Sequence, residues 1–300
     1  MILIITALMI EATPLIEYFK LKRDMSIHEF PVYRNAEIAL IVSGIGKVKS
    51  AVAATYLLSI CNAKYCKDGL IESKNNDNKN HTLINIGFCG VSDTRYEIGS
   101  LILINKVTDM DTGIDSYPDI FIGKDLPKDA IYCFSKPVSK EYLESFECHK
   151  TKNIFCDMES SGIMEVAKKF TYAHQVVILK VISDYLNPNN YNKETLKGYL
   201  TKQIPKIEQI IDEVKQLNYY FNQNFTDEFS MKEEKRILEI VSENLKFSYA
   251  MKQILLKEVK KAICKGMDPL KVLESYTQVK VNSKIEGKKI FNEIKAKLNA

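Results

Sequence analysis

Five short runs constrain the fold most: residues 2–6 (ILIIT), 40–43 (LIVS), 82–86 (TLINI), 101–107 (LILINKV) and 176–182 (VVILKVI). Each is apolar at nearly every position. A strand with one wet face alternates apolar and polar residues; one that is apolar throughout is covered on both faces. Between these runs lie stretches with helical spacing: Val48–Cys61, Asp157–Phe170 and Lys193–Tyr220, the last with Pro205 as a start or kink. Strands of this kind alternating with helices predict an α/β fold, a three-layer α/β/α sandwich with a mixed, largely parallel central sheet. With 46% hydrophobic residues among 300, the chain has enough apolar side chain for such a core.

Two polar stretches divide the chain. Glu72–His81 (ESKNNDNKNH) has no periodicity and reads as a surface excursion. Periodicity lapses again at Asn218–Ser230, so we expect a main domain over 1–222 and a small all-helical extension over 231–300. From Asp227 onward there are 16 Lys/Arg against 11 Asp/Glu, a net +5 in a chain whose total is +4. The excess positive charge therefore sits in the tail. Its apolar residues recur at helical spacing: Ile237, Ile240, Val241; Met251, Ile254, Leu255, Val259; Ile290, Ile294, Leu298. They predict a bundle packed on itself or on the main domain, with docking to a protein partner as the alternative. Arg236 is the only arginine there, so nothing argues for nucleic acid. Asp268-Pro269 reads as a helix start, an N-cap followed by Pro.

Seven cysteines, an odd number without a CxxC pair, suggest neither a disulfide framework nor a zinc site. The apolar N-terminus has no basic n-region and reaches Glu11 early, and no run of 18 apolar residues occurs. These features point to reduced thiols, no membrane span and a cytoplasmic address. The four histidines show no ligand spacing.

In parallel sheets, ligands sit at the carboxyl ends of the strands. Turns are expected after Thr6, after Ser43 (Gly44-Ile45-Gly46-Lys47) and after Ile86 (Gly87-Phe88-Cys89-Gly90). Acids stand near such ends: Glu11 after the first run, Asp157 and Glu159 at the opening of a helix, and Asp184, with Ser183, after the run 176–182. Singly, each has an ordinary explanation as a cap, a turn or a solvated loop residue.

Together they resemble a family. The TALMIEATPL start, SGIGKVKSAVAAT, INIGFCG, EIGSLILI, DMESSGI and VISD, in this order, are similar to the nucleoside phosphorylase superfamily, and within it to the 5′-methylthioadenosine/S-adenosylhomocysteine nucleosidases. The resemblance covers about residues 1–220. It implies that Glu11 activates the attacking water, that Glu159 grips the ribose hydroxyls with Met158 beside the sugar, and that Asp184, oriented by Ser183, protonates the departing purine. It implies further that the turn carrying Phe88, Cys89 and Gly90 lies over sugar and base, that Phe134 stacks on the base, and that Asp157 belongs to the substrate-binding set. It also implies a homodimer and no metal or organic cofactor.

Cleavage of a ribosyl bond passes through an oxocarbenium-like sugar, by analogy with glycoside hydrolysis. A carboxylate beneath the sugar offsets that charge, and an acid must meet the leaving base. Phosphorylases of the resembled superfamily hold phosphate with arginines in the first loop and before the glycine turn. Here those places offer Glu11, with no Arg before Arg23, and Asn85. A phosphate dianion beside a carboxylate is repelled, so water is the expected nucleophile and a purine nucleoside hydrolase the expected activity. Phe88 replaces a small hydroxyl residue of the resembled pattern, Val91 a glycine, and Asp157 a longer acid. A phosphorylase, or a nucleoside- or partner-binding protein without turnover, stays open on these grounds.

Overall fold

The computed structural model describes residues 1–62, 81–144, 154–187, 192–225, 230–264, 267–281 and 283–299. Residues 72–80 of the polar excursion, Cys66, Cys148 and His149 lie outside the described residues. The chain divides into two compact units, Met1–Asn218 and Tyr219–Ala300.

In the first unit the strands are β1 (Ile2–Thr6), β2 (Lys22–Arg23), β3 (Val32–Arg34), β4 (Ile38–Val42), β5 (Thr82–Val91), β6 (Leu101–Asp109), β7 (Asp115–Ser116), β8 (Lys128–Cys133), β9 (Phe155–Asp157) and β10 (Val176–Asp184). The helices are α1 (Met9–Tyr18), α2 (Lys47–Asn62), α3 (Lys140–Glu144), α4 (Ser160–Phe170) and α5 (Lys193–Phe225), the last belonging to the first unit up to Asn218. All ten strands join one sheet in the order β10-β6-β8-β9-β5-β1-β4-β3-β2, with β7 on β6. The long ladders, β4-β1-β5-β10 and β6-β8, are parallel, and the short outer pairings are antiparallel. Because β10 also pairs β5, strands β5, β9, β8, β6 and β10 close into a ring. The sequence gives no sign of this closure, since β8 and β9 are short and lack an apolar run.

The apolar strands serve two cores, one on each face. Leu3 and Ile5, Ala39 and Ile41, Ile178 and Ile182 face α2 and α4, packing with Ala53, Leu57 and Ile163. Their neighbours Ile2 and Ile4, Ile38 and Leu40, Val177, Leu179 and Val181 face α1 and α5, packing with Leu15, Leu200, Ile207 and Ile211. This alternation is the period of two that sends successive side chains to opposite faces. Lys180 belongs by register to the α2/α4 face, where the row otherwise holds Ile178 and Ile182.

Helices α2 and α4 approach closely at Gly162. A Cβ there would lie 2.2 Å from the Lys47 carbonyl oxygen, a backbone atom that cannot swing away. Gly162→Ala is therefore expected to force the two helices apart and destabilise the first unit by about 1–3 kcal/mol. A thermal melt checks this; an unchanged midpoint refutes the close packing.

Three sequence expectations are corrected. Gly87-Phe88-Cys89-Gly90 is not a turn but the continuation of β5, held by ladders to β10 and β9. Burial on both sides lets the strand run through two glycines that read as punctuation. Asp157 ends β9 rather than opening a helix; α4 begins at Ser160. Of the two readings of Pro205, start or kink, the start is excluded, because the residue lies inside the continuous helix α5.

The second unit contains α6 (Ser230–Asn244), α7 (Tyr249–Cys264), α8 (Pro269–Glu274) and α9 (Lys284–Asn299). Val241, Leu245, Leu255, Val259, Leu273, Ile294 and Leu298 form its core, so these helices pack on one another. Ile240 and Ile254, read as core from their spacing, are 38% and 40% exposed. The Asp268 carboxylate accepts from the Leu270 N–H and Pro269 takes the first helical position, as the sequence indicates.

Candidate active site

At the carboxyl ends of β1, β5, β9 and β10 lies a cavity of about 670 Å³. Its wall includes residues 7–11, 88–90, 156–159, 183 and 184. Glu11, Glu159 and Asp184, 173 positions apart at their extremes, thus line one space.

Glu11 sits in the first turn of α1, where a carboxylate suits the free N–H groups and the positive end of the helix dipole. One oxygen accepts from the Ala7 and Leu8 N–H groups, both at 2.8 Å, and the other from the Phe88 N–H at 3.0 Å. It is 3% exposed. Burial raises its pKa from the ordinary value; its backbone hydrogen bonds and Lys180 oppose that rise without cancelling it.

Glu159 stands at the N-cap of α4 but does not cap it. Asp157 does: its Oδ2 accepts from the Ser160 N–H at 2.9 Å and its Oδ1 from the Ser160 hydroxyl at 2.7 Å. The Glu159 side chain is left to line the cavity, where Oε1 accepts from the Gly46 N–H at 2.9 Å. Gly46 has φ +112°, which only glycine adopts without strain, so the glycine of the GIGK segment is needed to aim that N–H. Lys47, next in the chain, is anchored to Asp109 and Asp111 at 2.9 and 2.7 Å.

Asp184 reaches the cavity through a bulge. Ile182 pairs with Cys89 and Asp184 with Gly90, so Ser183 is an extra residue in β10. Such bulges re-aim side chains. The Ser183 hydroxyl donates to Asp184 Oδ2 or to the Cys89 carbonyl, and the Asn187 N–H donates to Oδ1 at 3.0 Å.

The sequence reading missed Lys180. It is 1% exposed, with Nζ 2.8 Å from Asp157 and 4.0 Å from Glu159. A lone lysine inside VVILKVI was the available signal, because a buried ammonium requires an anion. Burial works against its charge, but Asp157 and Glu159 outweigh it and hold its pKa above the ordinary value. One cation thus faces three buried acids, Asp157, Glu159 and Glu11. The excess negative charge adds to burial at Glu159, whose pKa is pushed up to about 7.

The remaining expected residues divide. Phe88, Cys89, Gly90, Met158 and Ser183 line the cavity. Asp157 also lies in its wall, but both its oxygens are engaged by Ser160 and Lys180, so it supports the site rather than offering a free acceptor. Phe134 is not among the lining residues; it is 6% exposed and packs with Val138, Leu143, Ile154 and Leu186. Asn85 is buried and donates its amide to the Ile5 carbonyl. Burial pushes the thiols of Cys89 and Cys156 up, away from nucleophilic use. Among the described residues no cluster of His, Cys, Asp or Glu is placed to hold a metal ion, and no helix is long and apolar enough to cross a membrane.

The raised Glu159 value fixes a pH trend. Its carboxyl binds a proton more tightly folded than unfolded, so its contribution to stability is full below the ordinary 4.5 and lost as pH rises through about 7. Stability of the first unit should fall across that window by on the order of 1–3 kcal/mol. Glu159→Gln, which keeps an acceptor for the Gly46 N–H, should flatten the trend and melt higher than the parent at pH 8. Parallel pH profiles for the two proteins would refute the assignment.

Residues 2–135 match the family model described as the Phosphorylase superfamily. No curated protein matches the chain. Among solved structures, the chain is similar to a mutant Helicobacter pylori MTAN with 5′-methylthioadenosine in the active site, at 18% identity and a TM-score of 0.55 over 71% of this chain and 98% of that one. A futalosine hydrolase mutant of the same organism matches at 17% identity and 0.52, over 71% and 98%. The Arabidopsis thaliana 5′-methylthioadenosine nucleosidase in apo form matches at 18% and 0.51, over 72% and 95%. The unit of residues 1–218 thus has the fold of these solved nucleosidases, and its residues 2–135 are similar to the phosphorylase superfamily.

Proposed function

We propose that the first unit is a purine-nucleoside N-ribosyl hydrolase, acting on nucleosides of the 5′-methylthioadenosine or adenosylhomocysteine type to release adenine and a free ribose derivative. One observation carries the reading: Glu11, Glu159 and Asp184 line a single cavity at the strand ends. Glu11, fixed by three N–H groups, takes a proton from the attacking water. Glu159 sits beneath the sugar and stabilises its developing positive charge. Asp184, oriented by Ser183, gives the departing base its proton. General acid and base roles of this kind each contribute about 10²–10⁴ in rate. Water is favoured over phosphate because Lys180, the buried cation nearby, is engaged by Asp157. The similarity to solved nucleosidases and to a futalosine hydrolase supports the class of reaction.

A homodimer in a compartment that keeps thiols reduced is part of this proposal. Leu8, Met9 and Ile45 are exposed and line the cavity, and Val48 and Val52 continue the stripe along α2 at 77% and 54% exposure. A second copy of the chain would cover them; sedimentation reads this directly.

Incubation with methylthioadenosine, adenosylhomocysteine, adenosine and inosine, with and without phosphate, tests the activity. Free base without phosphate is expected. Release only with phosphate would make the protein a phosphorylase, and tight binding without release a binder.

A further inference from the structure

Lys47 takes no part in the hydrolysis, yet its ammonium joins three strand ends beside the cavity. It is the first residue of α2, following the turn that leaves β4, and its side chain is 13% exposed. Its Nζ donates to Asp109 Oδ2 at 2.9 Å and to Asp111 Oδ2 at 2.7 Å. Asp109 ends β6, and its other oxygen accepts from the Asp111 and Thr112 N–H groups, both at 3.0 Å. Asp111 also accepts from the hydroxyl of Ser135, in the loop after β8. Most exposed ion pairs contribute little, but a partly buried cation with two carboxylates fixes the geometry of both sides.

The tied segments bear on the site. Gly46, next to Lys47 in sequence, donates its N–H to Glu159 Oε1 at 2.9 Å, and Ile45 lines the cavity. On the other side, residues 136–138, just after Ser135, line it too. Gly44 and Gly46 have φ of +83° and +112°. Two glycines around one residue give this turn little stiffness of its own. Its entry is held by the Gly44 N–H on the Ala7 carbonyl at 3.0 Å. Its exit is where Lys47 is anchored. The Ser50 hydroxyl, 2.9 Å from the Lys47 carbonyl and 3.1 Å from the Glu159 carbonyl, holds the starts of α2 and α4 together but does not reach the Gly46 N–H.

We propose that Lys47 is a positioning residue for Glu159: by tying the exit of this turn to Asp109 and Asp111, it keeps the Gly46 N–H on the carboxylate that lines the cavity. The kinetic consequence rests on the hydrolase reading; the structural one does not. The other charged groups facing Glu159 are Lys180 from β10, Asp157 from β9 and Glu11 from α1, and a change at Lys47 leaves all three in place. The Gly46 N–H is among the groups that draw the Glu159 pKa down against burial. Without it the Glu159 carboxyl should hold its proton to still higher pH.

The test is Lys47→Met, which keeps the length of the side chain and removes its charge. Hydrogen exchange of the Gly46 amide should quicken about tenfold or more, and the carbon-13 titration of the Glu159 carboxyl should move up by about one pH unit, the scale of one hydrogen bond to a charged group. Neither readout needs turnover. With methylthioadenosine, kcat near pH 7 should fall about tenfold, with KM changing less than about threefold, because the developing charge on the sugar is met only in the transition state. The rise of kcat with pH should follow the Glu159 titration upward. Lys47→Arg, which keeps a cation between the two carboxylates, should recover most of each effect. Asp111→Ala should show a smaller shift in the same direction; that side chain is 57% exposed, so the fold tolerates the change and a poorly folding Lys47→Met would not hide the outcome. Unchanged Gly46 exchange and an unchanged Glu159 titration in these variants, with or without a lower melting temperature, overturn the inference and leave the hydrolase reading standing. Should the parent release no base, the hydrolase reading fails instead, and exchange and titration decide the inference by themselves.

Discussion

Asp184→Asn is expected to lower base release by about 10²–10⁴-fold while leaving the fold unchanged. The loss follows from the step proposed for the residue: the purine leaves poorly unless protonated, and an amide has no proton to give at the pH of the assay. The conserved fold follows from the hydrogen bonds. The Asn187 N–H donates to Asp184 Oδ1, a role an Asn oxygen fills equally well. On the other side, the Ser183 hydroxyl has a second acceptor, the Cys89 carbonyl at 3.1 Å, so it can donate there while accepting from the new amide nitrogen. The Asn187 and Ser183 bonds are thus both kept, with donor and acceptor exchanged only at Ser183. The measurements are turnover, melting temperature and affinity for a non-hydrolysed nucleoside analogue. Retained melting and binding with lost turnover support the role of general acid. Turnover within fivefold of the parent would remove Asp184 from the chemistry and point to protonation from water.

How the site was legible in the sequence explains what was missed. The two-sided burial of the runs at residues 2–6 and 176–182 announces itself, because each position must be apolar to satisfy a core on either face. The carboxylates were legible through the motifs around them, in a fixed order at strand ends. The continuation of β5 through Gly87 and Gly90 was not, because glycine punctuates a chain locally, whereas here the ladders to β9 and β10 decide. The closure of the ring depends on β9, which is three residues long, and on β8, whose KDAIYC has no continuous apolar run. Asp157 looked like one more acid of the site because spacing cannot tell an acid that caps a helix from one that faces a ligand; the Ser160 N–H and hydroxyl settle its engagement. Phe134 was expected to stack on the base only from the resemblance, and its burial with Val138 and Leu143 comes from packing that no local pattern encodes.

Lys180→Met is expected to destabilise the first unit by about 3–5 kcal/mol, the penalty for leaving a buried partner charge uncompensated. Methionine matches the length of the side chain and lets it pack with Ile178 and Ile182, so the loss is electrostatic rather than a cavity. Asp157 keeps its bonds from Ser160 but loses the ammonium at 2.8 Å, and Glu159 and Glu11 lose the cation that draws their pKa values down. Those acids then ionise still less readily, which makes the defect pH-dependent. Near pH 5, where Glu159 is protonated in either protein, the difference should shrink; near pH 8, where the parent has ionised Glu159, it should be largest. Pairing the change with Asp157→Asn removes the orphaned charge, keeps an acceptor for the Ser160 N–H, and should recover more than half of the lost stability. Because the chain has two units, the readout is hydrogen exchange of the β10 amides, which reports opening of the first unit alone. Protection in β10 lowered by less than tenfold in Lys180→Met, or no recovery in the double variant, would mean that the lysine is not the counter-charge for these acids. The raised pKa of Glu159 would then have to arise from burial alone. If the loss and recovery are both seen, the strand that ends in the proposed general acid also supplies, four residues earlier, the charge that lets the other acids be buried beside it.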